Sequence, residues 1–142
     1  MNREEFTKKV IEKIEKQLPI PKSEMENSKK YGTSRKAIKI NGCRQGVYFL
    51  YNTNKEIIYI GKVGTKKKTS LYHRMKGHGS GAHNKQSWYA EVDFGKYIIF
   101  DKLNDFEIEV IERLCIMYNP NKDNYNDKYF NDTIIDEING KI

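Results

Sequence analysis

The first apolar pattern along the chain has the spacing of a helix. Apolar side chains recur every three to four positions over residues 3–17, with charged residues between them, which predicts an amphipathic helix. Pro19 and Pro21 end this helix, because proline cannot donate the backbone hydrogen bond that a helix needs. Residues 22–44 are polar and basic, and we interpret them as a connecting arm with room for one short strand. The apolar stripe of the helix consists of Phe6, Val10, Ile11 and Ile14.

Three runs of β-branched and aromatic residues predict strands. Residues 46–51 and 57–60 are such runs, and the Asn-Thr-Asn-Lys segment between them has turn chemistry, so together they predict an antiparallel hairpin. Residues 97–100 predict a third strand. We therefore expect a mixed α/β fold of the α+β type, in which a small three-stranded antiparallel sheet is flanked by helices.

Three further helices are predicted after the hairpin. A short one is expected over residues 71–76. Asn104 is a suitable N-cap for a longer, largely apolar helix that continues to about Tyr118 and is closed by Pro120. A last helix is expected over residues 132–138. Because the long helix is apolar nearly all round, we expect it to be buried on several sides.

Length and composition limit the organisation of the chain. With 142 residues, of which 37% are hydrophobic and 32% charged, it is expected to form one compact domain. We divide it into an N-terminal helix and basic arm, residues 1–45, and a main part, residues 46–142. The start of the chain lacks a signal-like apolar stretch, which predicts a cytoplasmic protein without a membrane partner. Cys43 and Cys115 lie too far apart in sequence to indicate a zinc site.

Positive charge is concentrated in the first two thirds of the chain. Residues 1–90 carry 20 Lys and Arg but 7 Asp and Glu, whereas the remainder carries 6 and 12. Residues 57–90 contain no carboxylate, and such a segment attracts a polyanion such as nucleic acid. Trp88, Tyr72 and Tyr89 could add stacking on bases. A solvated lysine-rich face is the alternative. The candidate nucleic-acid-binding residues are Lys62, Lys66, Lys67, Lys68, Lys76 and Lys85.

One carboxylate falls on an apolar stripe of the long helix. Glu112 has Ile108 one turn before it and Ile116 one turn after it. A buried carboxylate needs a compensating cation. Glu112 therefore either pairs with a lysine at the edge of the domain or acts as a metal ligand or catalytic carboxylate.

Two tripeptides give the hairpin a family resemblance. Gly-Val-Tyr at residues 46–48 and Tyr-Ile-Gly at residues 59–61, which are separated by ten residues, resemble the paired tripeptides of the GIY-YIG nucleases. The resemblance covers about residues 45–126 and implies a GIY-YIG nuclease-like domain over residues 46–142. Its remaining positions are filled by Arg74, His78, Glu112 and an asparagine, which is Asn126 or Asn124.

The resemblance implies a metal-dependent endonuclease that hydrolyses phosphodiester bonds in DNA. The hairpin brings Tyr48 and Tyr59 close together on one face if its register pairs them. Tyr48 would be the general base or would position the attacking water, and Tyr59 would orient it or the phosphate. A tyrosine is almost fully protonated at neutral pH, and Lys62 or the metal would increase the ionised fraction of Tyr48. Core packing of both strand aromatics is the structural alternative.

The other positions would serve the phosphate and the metal. Arg74 would bind a phosphate oxygen and stabilise the transition state. His78 would contact phosphate or act as an alternative base. Glu112 would hold one Mg²⁺ or Mn²⁺ ion, and Asn126, or Asn124, would fix a water.

Several biological roles remain open within this interpretation. Double-stranded DNA is the expected partner, and a restriction-like or phage- or mobile-element-associated enzyme could act as a homodimer to cut both strands. Alternatives are a structure-specific repair nuclease, an RNA nuclease, or a non-catalytic DNA-binding module with the same fold.

Overall fold

The protein has an α+β fold. The computed structural model describes residues 1–26, 45–64, 87–119 and 132–142. The elements of this part are α1 (Arg3–Glu15), β1 (Ile20–Pro21), α2 (Lys22–Glu26), β2 (Gly46–Tyr51), β3 (Ile57–Val63), a 3-10 helix (Ser87–Glu91), β4 (Phe94–Ile99), α3 (Asp105–Met117) and α4 (Asp132–Lys141).

The sheet in the described part of the chain has four antiparallel strands in the order β1-β4-β2-β3. The three expected strands are present, but the expected total of three is wrong, because the two-residue strand β1 pairs with β4 through Ile20 and Pro21. A strand this short shows no alternation in the sequence. Its proline is tolerated because β1 is an edge strand. A backbone N–H that points away from the neighbouring strand makes no hydrogen bond within the sheet, so its loss costs little.

The central strand β2 separates two apolar clusters. Successive side chains of a strand point to opposite faces of the sheet. Val47, Phe49 and Tyr51 belong to the larger cluster, on what we call the core face, whereas Tyr48 and Leu50 belong to the smaller one, on what we call the tyrosine face. Both β2 neighbours, β3 and β4, extend these clusters, so every residue of β2 is buried.

The core face is covered by helices from both ends of the chain. Phe6, Val10 and Ile14 of α1 are buried there together with residues of α3 and α4. The expected N-terminal helix is therefore present, and it contributes to the same core as the sheet. The buried residues of α3 and α4 in this cluster are Ile108, Val110, Ile111, Leu114, Cys115, Ile135 and Ile138.

The N-terminus of α3 is fixed by side chains. Asn104 accepts a hydrogen bond from the backbone N–H of Glu107, and the Glu107 carboxylate accepts one from the backbone N–H of Asn104. Lys141 of α4 donates to both Glu107 oxygens at 2.8 Å. Six residues of α3 are buried, in agreement with the expected burial of this helix, whereas Phe106 is 51% exposed and lies on its open side.

Other boundaries differ modestly from the sequence expectation. Strand β3 continues to Val63, and β4 begins at Phe94 rather than at Tyr97. Helix α2 and the 3-10 helix were not expected. The expected helix over residues 71–76 lies outside the described residues. Within the described residues, none of the helices has the length and apolar character needed to span a membrane.

Candidate active site

Tyr48 and Tyr59 lie next to each other on the tyrosine face. Tyr48 is paired with Gly61, and Tyr59 is paired with Leu50, so the two tyrosines are diagonal neighbours in the hairpin. Their ring centroids are 6.1 Å apart, and the ring planes are tilted by 33°. Tyr48 is 1% exposed, whereas Tyr59 is half-buried. The two rings therefore share a face, as expected, but the register does not pair the two residues directly.

The glycines of the two tripeptides leave room for aromatic rings. A Cβ atom added at Gly61 would collide with the ring end and hydroxyl of Tyr48 and would stand 2.8 Å from the Tyr59 ring. A Cβ atom at Gly46 would collide with the carbonyl oxygen of Ile98 and stand 3.0 Å from the Tyr97 ring. Both glycines are therefore required by close approach, which gives a physical reason for the tripeptide pattern.

Trp88 completes an aromatic row with the two tyrosines. Its ring stacks on Tyr59, with centroids 4.5 Å apart and planes within 13° of parallel. The sequence places Trp88 in the acid-free segment but gives no indication of this contact, because the two residues are far apart in the chain. Tyr89 is only 7% exposed, so the base-stacking role considered for it is wrong.

Tyr89 instead anchors the 3-10 helix to the N-terminal part of the chain. The Lys22 amine lies 4.2 Å from the centre of the Tyr89 ring and donates a 2.9 Å hydrogen bond to the Tyr89 carbonyl oxygen. Burial raises the pKa of the Tyr89 hydroxyl, and the negative charge of Glu26 raises it further. Tyr89 is therefore a neutral structural residue.

Glu112 lies at the edge of the buried side of α3. It is half-buried, its neighbour Ile108 one turn earlier is buried, and Ile116 one turn later is half-buried. Burial raises the pKa of the Cys115 thiol, and the negative charge of Glu112 raises it further. The buried residues of α3 pack on the core face, so this helix and the tyrosine pair lie on opposite faces of the sheet.

The flank of α3 that carries acidic residues follows the edge strand β3. A Cβ atom at Gly64 would stand 3.0 Å from an Asp105 carboxylate oxygen, and the Lys62 amine is 3.9 Å from a Glu109 carboxylate oxygen. Glu109 also pairs with Arg113 at 3.0 Å. The carboxylates on this flank of α3 therefore lie beside β3, the strand that carries Tyr59.

Lys62 is not on the face of the tyrosines. It is paired with Val47, a core-face residue, and its amine contacts Glu109 on α3. The expectation that Lys62 increases the ionised fraction of Tyr48 is therefore wrong, because alternate residues of β3 point to opposite faces. Its expected contact with nucleic acid stays a prediction.

The remaining candidate residues lie outside the described part of the chain. They are Arg74, His78, Asn124, Asn126, Lys66, Lys67, Lys68, Lys76 and Lys85. Among the described residues no three His, Cys, Asp or Glu side chains are grouped so that they could hold a metal ion. The role of Glu112 as a metal ligand stays a prediction.

Comparison with protein-family models, with curated proteins and with solved structures finds no match.

Proposed function

We propose that this protein is a metal-dependent endonuclease that hydrolyses phosphodiester bonds in double-stranded DNA. The observation that carries the proposal is the tyrosine pair, with ring centroids 6.1 Å apart on one face of the hairpin and a glycine that makes room for both rings. The basic, carboxylate-free segment over residues 57–90 supports a polyanionic substrate. The resemblance to GIY-YIG nucleases supplies the reaction class.

In this proposal the tyrosines act on the attacking water. Tyr48 accepts the proton of the water when it is ionised to the phenolate, or, as the neutral phenol, holds the water in line with the phosphorus atom, and Tyr59 orients it. Arg74 binds a non-bridging phosphate oxygen and stabilises the charge that develops there. His78 contacts the phosphate or serves as an alternative base, and Asn126, or Asn124, holds a water.

The resemblance assigns Glu112 as the ligand of one divalent ion, whereas the structure has α3 and the tyrosine pair on opposite faces of the sheet. The Glu112 carboxylate is half-buried at the edge of α3, and carboxylate oxygens suit Mg²⁺ and Mn²⁺. A single protein carboxylate is sufficient where substrate oxygens and waters complete the coordination shell. When bound, the ion would neutralise charge on the phosphate and support the leaving oxygen.

The test is cleavage of supercoiled plasmid DNA with Mg²⁺, with Mn²⁺ and with a chelator. We expect nicking with either metal and none with chelator. Glu112→Gln should lower the rate about a hundredfold or more, and Tyr48→Phe should do the same. Glu109→Gln is the matched control, because it removes the same charge from the same helix, and it should cut within about twofold of the wild type.

Binding to a labelled duplex separates loss of chemistry from loss of affinity. Glu112→Gln should still bind, since it lacks only the proposed metal ligand. Wild-type protein that binds the duplex but does not cut with either metal would favour the non-catalytic DNA-binding module. Cleavage of labelled RNA in preference to DNA would instead favour the RNA nuclease.

A further inference from the structure

Tyr59 is in contact with two aromatic rings. The indole of Trp88 is stacked on it at 4.5 Å, and the ring of Tyr48 is 6.1 Å away. Stacked and tilted ring pairs at these separations contribute an interaction energy in addition to the hydrophobic contribution of the area that they bury. The direction of the Tyr59 phenol therefore depends on its aromatic neighbours.

Tyr59 lies on an edge strand of the described sheet. In the described part of the chain β3 pairs only with β2, so it has one neighbouring strand. The next residue of β3 on the same face is Gly61, which has no side chain. Leu50 lies opposite, and Tyr48 occupies the space above the glycine. Of the two ring contacts described for Tyr59, the flat one with Trp88 is the closer.

Trp88 is in turn held in place by a buried anchor. The ring of Tyr89, which follows it in the 3-10 helix, meets the indole edge-on at 6.1 Å and 67°. Lys22 fixes Tyr89 from the N-terminal part of the chain, and the amide of Val92 donates to the Tyr89 carbonyl at 3.1 Å. A platform that is fixed in this way can pre-orient the side chain that rests on it.

We propose that Trp88 is a positioning residue, whose indole holds Tyr59 in the orientation that the reaction needs. This inference rests on the proposed nuclease function. Trp88 acts through Tyr59 and not on the substrate, so it contributes to the rate of the chemical step rather than to affinity. Small misplacements of a reacting group cost large factors in rate, which is why an indirect contact can matter.

The first test separates kcat from KM. Trp88→Ala should lower kcat about tenfold to a hundredfold and leave KM within about twofold. Trp88→Phe, which keeps a flat ring, should restore most of the rate. The matched control is Phe94→Ala, because Phe94 and Tyr51 form a similar stack, 4.7 Å and 6°, that packs against the core-face cluster. It should leave kcat within about twofold.

The second test uses the fact that Trp88 is the single tryptophan of the chain. Its fluorescence anisotropy decay reports the stack directly and does not require catalysis. Tyr59→Ala should give the indole more rapid local motion, and Phe94→Ala should not.

The proposal is overturned by wild-type kcat in Trp88→Ala, by an equal loss in Phe94→Ala, or by unchanged indole motion in Tyr59→Ala. An inactive wild-type protein would instead overturn the nuclease function and the positioning role with it. The two failures are distinguishable, because failure of the nuclease function leaves no wild-type activity, whereas failure of the positioning role alone leaves an active wild-type protein.

Discussion

At the scale of single residues, Gly61 determines whether the two tyrosine rings can lie where they do. A methyl group at this position would collide with the Tyr48 ring and approach the Tyr59 ring. Gly61→Ala should therefore lower the free energy of unfolding by about 1–3 kcal/mol, as overpacking of a well-packed site does. Urea denaturation measures this change, and the near-ultraviolet circular dichroism of the aromatic residues should change with it.

Gly140→Ala is the control for this substitution. Gly140 lies in α4, and a Cβ atom there would meet nothing within 4 Å. Alanine is favoured over glycine in a helix by about 0.5–1 kcal/mol, so this variant should be slightly more stable than the wild type. Loss of stability in Gly140→Ala, or none in Gly61→Ala, would contradict the close-approach explanation.

At Tyr51, in contrast to Gly61, a substitution is expected to raise the free energy of unfolding. The Tyr51 hydroxyl is buried on the core face and has no hydrogen-bond partner among the described residues. Burial raises the pKa of this hydroxyl, and the charge of Glu15 raises it further. Tyr51→Phe removes the unsatisfied group and should raise the free energy of unfolding by about 0.5–1.5 kcal/mol at neutral pH.

The pH dependence of the same variant gives a second check. A tyrosine with a raised pKa in the folded state contributes stability below its ordinary pKa of about 10, and this contribution is lost as the pH rises above that value. Tyr51→Phe should therefore lose less stability than the wild type under alkaline denaturation. Reduced stability of the variant at neutral pH would mean that the hydroxyl is satisfied.

Single residues also show which contacts a sequence can predict. The sequence predicts that Tyr48 and Tyr59 share a face only if the hairpin register pairs them, and the observed register makes them diagonal neighbours. The Trp88 contact was not predictable, because it joins a strand to a 3-10 helix that is distant in the chain. The alternation of side chains along β3 places Lys62 on the core face, where it contacts Glu109. The roles of Arg74, His78 and Asn126 stay predictions.

At the scale of elements, Glu107 joins the start of α3 to the end of α4. Burial alone would raise the pKa of its carboxyl group, but hydrogen bonds from Lys141 and from the Asn104 backbone, together with the Lys141 charge, lower it overall. Glu107→Gln should lower the free energy of unfolding by about 1–3 kcal/mol, because it weakens the capping box and leaves Lys141 without its charged partner.

The sign of the pH effect follows from the lowered pKa. The stabilising contribution is present above the ordinary glutamate pKa and is lost as the pH falls through the lower pKa of the folded state. The wild type should therefore lose stability in acid more steeply than Glu107→Gln, as measured by denaturant unfolding at several pH values. Glu109→Gln is the control, since its pairs are more exposed, and it should cost less than about 0.5 kcal/mol.

Elements with a clear apolar period were predictable, and short ones were not. The helix that begins after the Asn104 cap and the strand at residues 46–51 were expected with nearly correct bounds. Strand β1 has two residues, α2 has five and the 3-10 helix has five, which is too short for a hydrophobic period to appear. These elements are formed by tertiary contacts, such as Lys22 with Tyr89.

At the scale of the whole molecule, the acidic and basic parts of the chain should have different functions. Net charge alone would attract DNA to any surface, whereas the proposed function requires binding through the carboxylate-free segment. Simultaneous replacement of Lys66, Lys67 and Lys68 by alanine should reduce the slope of log K against log salt concentration by about two to three, since each lost phosphate contact contributes about 0.9.

The matched control replaces three exposed lysines elsewhere, Lys8, Lys16 and Lys102, by alanine and produces the same change in net charge. Fluorescence anisotropy of a labelled duplex at increasing salt gives both slopes. We expect the control slope to change by less than about one, because lysines that do not contact phosphate release no counterions. Lys8 lies on α1, which packs on the core face, so it is remote from the tyrosine pair. Equal slopes for the two triple variants would mean that the chain binds DNA through its overall charge, and the carboxylate-free segment would then have no special role.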